Sequence, residues 1–216
     1  MKNKILYGGA LLLLFAVSAG GSWLFYWSAP DWQANADSAA TGVDENGYPW
    51  IGAKNPKMVI HEYLDFYCPH CPGAHKVLRS AIARHLDEIR LVRHDYARSM
   101  CAIRTGNDLT MMCPLVRAAG CAAKHVPYWK WNDSVMAEPI HELKLDPPSY
   151  IQRMVKQNGI PSKAFSECYD SESMADKAQK IYEETKAAGV SATPTYIIDG
   201  QVYSLKGALD VIKERF

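Results

Sequence analysis

The segment Cys68-Pro69-His70-Cys71 constrains this chain more than any other. It follows an apolar run from Met58 to Tyr67 and precedes a helical pattern, so it occupies a strand-to-helix junction. Two cysteines three apart in a first helical turn lie close enough to bridge. The spacing predicts Cys68 at the N-cap, its sulfur facing unsatisfied backbone N–H groups. Pro69 then takes the first helical position, where its missing N–H costs nothing. His70 adds a donor and a partial positive charge beside the sulfur. Each feature favours the thiolate, the nucleophile of disulfide exchange, and so stabilises the reduced pair and makes its disulfide an oxidant. Two other uses of the motif are weaker. Half a zinc site, with His75 as a third ligand, needs a second ligand pair at short range, and Cys101 brings none at knuckle spacing. A purely structural disulfide would gain little from closing so short a loop.

A second signal lies far downstream, in Val190 to Gly200, where Pro194 stands just before the β run Thr195 to Ile198. Such a residue is a candidate cis proline or strand-start proline. Together the two segments resemble the thioredoxin superfamily, and the Pro69-His70 dipeptide between the cysteines is similar to that of the DsbA-type thiol oxidases of the bacterial cell envelope. The resemblance covers residues 45–216 and implies a thioredoxin-like α/β fold with an inserted helical domain. It also implies site roles: Cys68 the exposed nucleophile, Cys71 its buried partner, and Pro194 a cis proline that packs on the disulfide, keeps a backbone edge open for substrate and blocks metal binding. Thr193 would border the site and pair its backbone with an extended substrate peptide. A threonine there is common in isomerases and many DsbA-like proteins, whereas the best-known oxidases carry valine. Glu62, six residues before Cys68, stands where thioredoxin-like proteins commonly place a buried carboxylate that accepts the second cysteine's proton. The plain alternative is a strand-end glutamate facing solvent. Asp65 is a rival on the opposite face if alternation holds.

The chain has 216 residues, six cysteines and a net charge of +1. The near-neutral charge gives no sign of a nucleic-acid partner, and an even cysteine number fits an oxidising compartment. Four cysteines fall outside the motif. The resemblance implies a structural disulfide Cys121–Cys168 stapling two insertion helices, which leaves Cys101–Cys113 as a second. Four cysteines allow three connectivities, and buried free thiols or a zinc site from Cys113, Cys121 and His125 stay open.

Lys2 and Lys4 precede an uncharged stretch from Ile5 to Pro30, the pattern of an export signal. Val17-Ser18-Ala19 offers a cleavage site, but the apolar character continues through Trp23 to Trp27, long enough to span a bilayer. The expectation is an uncleaved signal anchor, a single membrane-spanning helix over 1–30, with a flexible tether over 31–47 and the catalytic domain over 48–216 on the periplasmic or extracytoplasmic side of the cell membrane.

Within that domain the sequence predicts a strand over Met58 to Tyr67, a helix from Cys68 to about Leu86 with Pro72 distorting its first turn, and a strand over Ile89 to His94, the two strands parallel. A helical insertion spans approximately 99–188, with Asp146 as an N-cap before Pro147, Gly159 as a stop, and a helix over Glu172 to Ala188 ended by Gly189. A hairpin over Thr195 to Ile198 and Gln201 to Leu205 turns at Asp199-Gly200, and Ala208 to Phe216 closes the chain as a helix. Tyr128, Trp129 and Trp131 read as core, with groove lining as the lesser alternative. His61, His75, His85, His94 and His141 have no motif around them and default to solvated or helix-face roles.

The functional expectation is a membrane-tethered thiol–disulfide oxidoreductase that introduces disulfides into reduced exported proteins, needing no organic cofactor or metal. The resemblance implies reoxidation by a quinone-linked membrane partner, DsbB-like or vitamin K epoxide reductase-like. An envelope reductase or isomerase fed by a membrane donor is the first alternative, and a non-catalytic peptide-binding chaperone the second.

Overall fold

The computed structural model describes residues 39–96 and 113–216. The expected membrane-spanning segment, the first part of the tether, and Cys101 lie outside the described residues. Among the described residues no helix is long and apolar enough to cross a membrane.

The strand ahead of the motif is β3 (Met58–Leu64), the centre of a six-stranded sheet. Its residues alternate between two covered faces, which is why it reads as a nearly continuous apolar run. It pairs in parallel with β4 (Ile89–Asp95) through the crossover helix α1 (Cys71–Ile82), the expected β-α-β unit. On its other side it pairs antiparallel with β5 (Thr195–Ile198), which turns at Asp199-Gly200 into β6 (Gln201–Tyr203). Both turn residues have positive φ, +51° and +77°. The last helix begins at Leu205 rather than Ala208, because the Ser204 side chain caps it by accepting the Gly207 N–H.

Beyond β4 the sheet holds two strands absent from the sequence reading, β1 (Thr41–Val43) and β2 (Pro49–Gly52), in the order β1-β2-β4-β3-β5-β6. The expected tether over 31–47 therefore gives way to sheet by Thr41. Gly42 sits opposite Trp50, and a Cβ there would meet the indole at 2.5 Å, so glycine lets the aromatic ring cover β1. The sheet ends at β1 and β6, edge strands of three residues each.

The insertion contributes α2 (Pro114–Ala122), α3 (Tyr128–Ala137), α4 (Ile140–Leu143), α5 (Pro147–Gln157), α6 (Ser162–Tyr169) and α7 (Glu172–Ala187). Asp146 caps α5 by accepting the Ser149 N–H at 2.9 Å, and Gly159 and Gly189 follow helix ends with φ of +66° and +77°. Cys121 of α2 and Cys168 of α6 form a disulfide. Cys113 is also disulfide-bonded, its expected partner Cys101 lying outside the described residues.

Among the described residues two large hydrophobic cores and two small ones result. One large core packs Met58, Ile60, Leu91 and Ile198 of the sheet against Leu78 and Ile82 of α1 and Ile212 of the terminal helix α8 (Leu205–Arg215). The other gathers Trp131, Tyr150, Met154 and Phe165 of the insertion. Leu64, Phe66 and Cys71 join this second core from the end of β3 and the start of α1, and Tyr128 packs against both cores, which places the dithiol at the seam between sheet and insertion. Trp129 and Trp131 are core residues, as read from the sequence.

Candidate active site

The helix after β3 starts at Cys71, not Cys68, with His70 as its N-cap. Residues 68–71 form a turn in which the Cys71 N–H donates to the Cys68 carbonyl at 3.2 Å. Cys68 thus precedes the helix instead of capping it. The physical reason is Pro72. In a helix opened by Pro69 it would weaken the first turn, but in one starting at Cys71 it falls among the first four residues, whose N–H groups have no intrahelical partner. His70 is exposed and its ring makes no hydrogen bond to Cys68, contrary to expectation.

Both thiols are free, Cys68 half-buried and Cys71 fully buried. The Cys68 thiol donates to the Thr193 carbonyl at 3.4 Å, bridging the motif to the distant loop ahead of β5. The Thr193–Pro194 peptide bond is cis. Thr193 bears on both sulfurs, since its side chain also favours the Cys71 thiolate. Burial pushes the Cys71 thiol well above its ordinary value. The backbone of Asp65 and the Thr193 hydroxyl pull against this, while the Cys68 hydrogen bond adds to it. The geometry gives one accessible sulfur able to meet a substrate disulfide or thiol, and one shielded sulfur three residues on that can displace it.

Glu62 is fully buried on the face of β3 covered by α1. In the sheet register it lies directly between Arg93 of β4 and Tyr196 of β5. Its Oε2 is 2.8 Å from His75 Nδ1 and 3.5 Å from Arg93 Nη1. Burial raises its pKa, but the charges of His75, Arg93 and Arg79 and the His75 hydrogen bond outweigh burial and hold it below the ordinary carboxylate range. Asp65, just past the strand end, is buried too and accepts the Tyr67 N–H at 2.8 Å.

The sequence reading missed the partners of Glu62. His75, assigned no role beyond a helix face, is fully buried and stacked on Trp129. Its Nε2 is 3.1 Å from Asn132 Nδ2 and 3.6 Å from Asp133 Oδ1, and Arg79 Nη1 is 3.5 Å from that same oxygen. On the other side Arg93 Nε donates to Asp95 at 2.8 Å, and the Tyr128 hydroxyl donates to both Asp95 oxygens at 2.8 and 2.9 Å. His94 and His61, on the opposite face of the sheet, were missed as well: their Nε2 and Nδ1 are 3.0 Å apart, with His94 stacked on Tyr63. Among the described residues no group of three His, Cys, Asp or Glu side chains is placed to hold a metal ion.

Residues 44–214 match the profile of the family described as thioredoxin. The chain belongs to the thioredoxin family. Its fold within that family is the one with a helical insertion, shared with solved DsbA-like structures. MdbA, a thiol–disulfide oxidoreductase from Corynebacterium diphtheriae, superimposes with a TM-score of 0.61 at 18% identity, covering 80% of this chain and 92% of that one. A thioredoxin-like oxidoreductase from Silicibacter pomeroyi gives 0.60 at 15% identity over 80% and 92% of the two chains. The thiol–disulfide exchange protein α-DsbA2 from Wolbachia pipientis gives 0.59 at 18% identity over 80% and 89%. One curated relative, named Na+/H+ antiporter NhaA from Herminiimonas arsenicoxydans, is 25% identical over 163 residues. That stretch is 74% of this thioredoxin-family chain and 23% of the antiporter, so the chain spans under a quarter of that relative's length.

Proposed function

We propose that this protein is a thiol–disulfide oxidase of the cell envelope, and that Cys68 and Cys71 carry its chemistry. The observation that supports the reading best is the asymmetry of the pair: Cys68 is half-exposed beside the Thr193–Pro194 loop, and Cys71 is shielded beneath it. A substrate thiolate attacks the Cys68 sulfur of the protein disulfide, breaking the bond to Cys71 and forming a mixed disulfide. A second substrate thiolate then displaces Cys68, leaving an oxidised substrate and a reduced protein. Pro194 and Thr193 present the backbone edge that an extended substrate pairs with. Two features favour an extracytoplasmic site. The Cys121–Cys168 disulfide suits an oxidising compartment. The uncharged stretch from Ile5 to Pro30 suits export and membrane anchoring. Reduced exported proteins are the substrates on this reading, and a quinone-linked membrane protein is the reoxidant.

Equilibration of the full-length protein in detergent with glutathione buffers tests the direction. A potential above about −200 mV supports disulfide donation, and one near about −270 mV refutes the oxidase reading in favour of a reductase. Cys71→Ser, whose Cys68 thiolate can attack a substrate disulfide but has no second thiol to displace the product, should accumulate a mixed disulfide with a disulfide-bonded substrate, and Cys68→Ser should form none. Full activity in Cys68→Ser would support the chaperone reading instead.

A further inference from the structure

A client backbone that pairs beside Cys68 needs the loop ahead of β5 to stand in one place, and the fold anchors that loop at both ends. Val190 is buried against Tyr63 and Tyr96, and its N–H donates to the Thr185 carbonyl of α7 at 3.3 Å. Thr195 begins β5, opposite Tyr63 of β3. Between these anchors Ser191 and Ala192 are exposed, and Thr193 and Pro194 are half-buried. So short and exposed a run fluctuates unless a bond inside it holds the backbone.

Thr195 supplies such a bond. The residue is only 9% exposed, and its hydroxyl donates to the Ala192 carbonyl at 2.7 Å. The bond reaches back three residues and closes a ring that contains both Thr193 and Pro194. A valine would suit the first position of a buried strand as well as threonine does, since both are β-branched. What the hydroxyl adds is this tie.

The tie sets the direction of the groups that a client would meet. The Ala192 carbonyl and the Thr193 N–H belong to one planar trans peptide, in which they point opposite ways. Drawing the carbonyl toward Thr195 therefore turns the Thr193 N–H away from it. That N–H makes no hydrogen bond among the described residues. The next carbonyl along the chain, that of Thr193, faces the Cys68 sulfur at 3.4 Å. A donor and an acceptor on one residue, beside the accessible sulfur, are what one extended residue of a client requires.

We propose that Thr195 is a positioning residue for client binding. Its hydroxyl holds the Ala192–Thr193 peptide so that Thr193 offers its N–H and carbonyl together to an extended backbone, with the client cysteine brought to Cys68. Thr195 acts through the Thr193 backbone and not on either sulfur. The partner it serves is any extended segment with its own N–H and carbonyl unpaired, whatever its side chains.

The inference rests on the exchange reading of Cys68 and Cys71, and one experiment separates the two. Oxidised full-length protein in detergent is mixed with an extended hexapeptide bearing one central cysteine, or with mercaptoethanol, which has no backbone to pair. Formation of the mixed disulfide at Cys68 is stopped with a maleimide and read by mass spectrometry, and each rate is divided by the thiolate fraction of its own thiol. A wild type that reacts with neither thiol, or shows no preference for the peptide, overturns the paired exchange and the inference with it. Given that preference, Thr195→Val should slow the peptide about fivefold, the loss of one net hydrogen bond, and leave mercaptoethanol unchanged. Thr195→Ser, which keeps the hydroxyl, should recover the peptide rate. An intact preference in Thr195→Val, or an equal slowing of both thiols, overturns the positioning role while the exchange reading stands. Should Thr195→Val fail to fold, Thr195→Ala against Thr195→Ser carries the same comparison.

Discussion

Lowering the pH from 7 to 5 should weaken the folded state chiefly through His94. Burial, then the neighbouring His61 and Arg93, hold its imidazole down to about 3, against an ordinary 6.5. The folded protein therefore keeps His94 neutral while the unfolded chain takes up a proton below 6.5. The sign follows from linkage. A depressed pKa contributes stability that is fully present above the unfolded value and lost as pH falls toward the folded one. Each pH unit in that window costs up to about 1.4 kcal/mol, which integrates to about 2 kcal/mol between pH 7 and 5 and approaches about 5 kcal/mol near pH 3. His61, also depressed by burial, acts in the same direction. Glu62 does not interfere, because its pKa lies below the ordinary carboxylate value and its contribution is lost only at lower pH. The assay is urea unfolding at pH 7, 6 and 5 and fixed ionic strength, for the wild type and His94→Gln. Loss of the Tyr63 stack will lower the variant's stability at every pH, so the slope is the quantity to compare. The variant should lose about 2 kcal/mol less than the wild type across the window, and equal losses would refute the assignment.

Replacing the insertion staple by Cys121→Ala with Cys168→Ala frees a loop with a sequence separation of 47, which loop entropy sets at about 4 kcal/mol. The urea midpoint should fall accordingly, and a loss under about 1 kcal/mol would mean that the unfolded chain keeps these helices together without the bond. Tyr128→Phe removes a donor that both Asp95 oxygens share and should cost about 1.5–3 kcal/mol by the same measurement. An unchanged midpoint would show that Arg93 alone satisfies Asp95.

Regular elements were legible wherever local chemistry decided them. Asp146-Pro147, Gly189 and Asp199-Gly200 each act within a turn of their own position, and β3 and β4 carry their burial in composition. β1 and β2 were not legible, because three- and four-residue strands containing Gly or Pro exist only through pairing, β2 against β4 and β1 against β2. The dithiol and the loop at Pro194 could be read because each has its own motif. The buried cluster behind them has none, although part of its signal was present. Cys71, His75 and Arg79 follow one another at i, i+4 along the face of α1 that also buries Leu78 and Ile82, and Arg93 and Asp95 take the inward positions of β4. Polar residues at core positions of two adjacent elements point to a shared network. Asn132, Asp133 and Tyr128 join it only because the insertion folds back over α1, which spacing along the chain does not encode.

The two edges of the sheet bear on what such a protein would have to survive. Unfolded clients arrive as extended chains with unpaired backbone, and any long bare strand would template them into aggregates. β1 and β6 offer three residues apiece, too few to recruit a neighbour strongly, even though Val43 and Val202 stand exposed on them. On the proposed function, backbone pairing with a client would then concentrate at the Thr193–Pro194 loop, whose Thr193 carbonyl lies against the Cys68 sulfur.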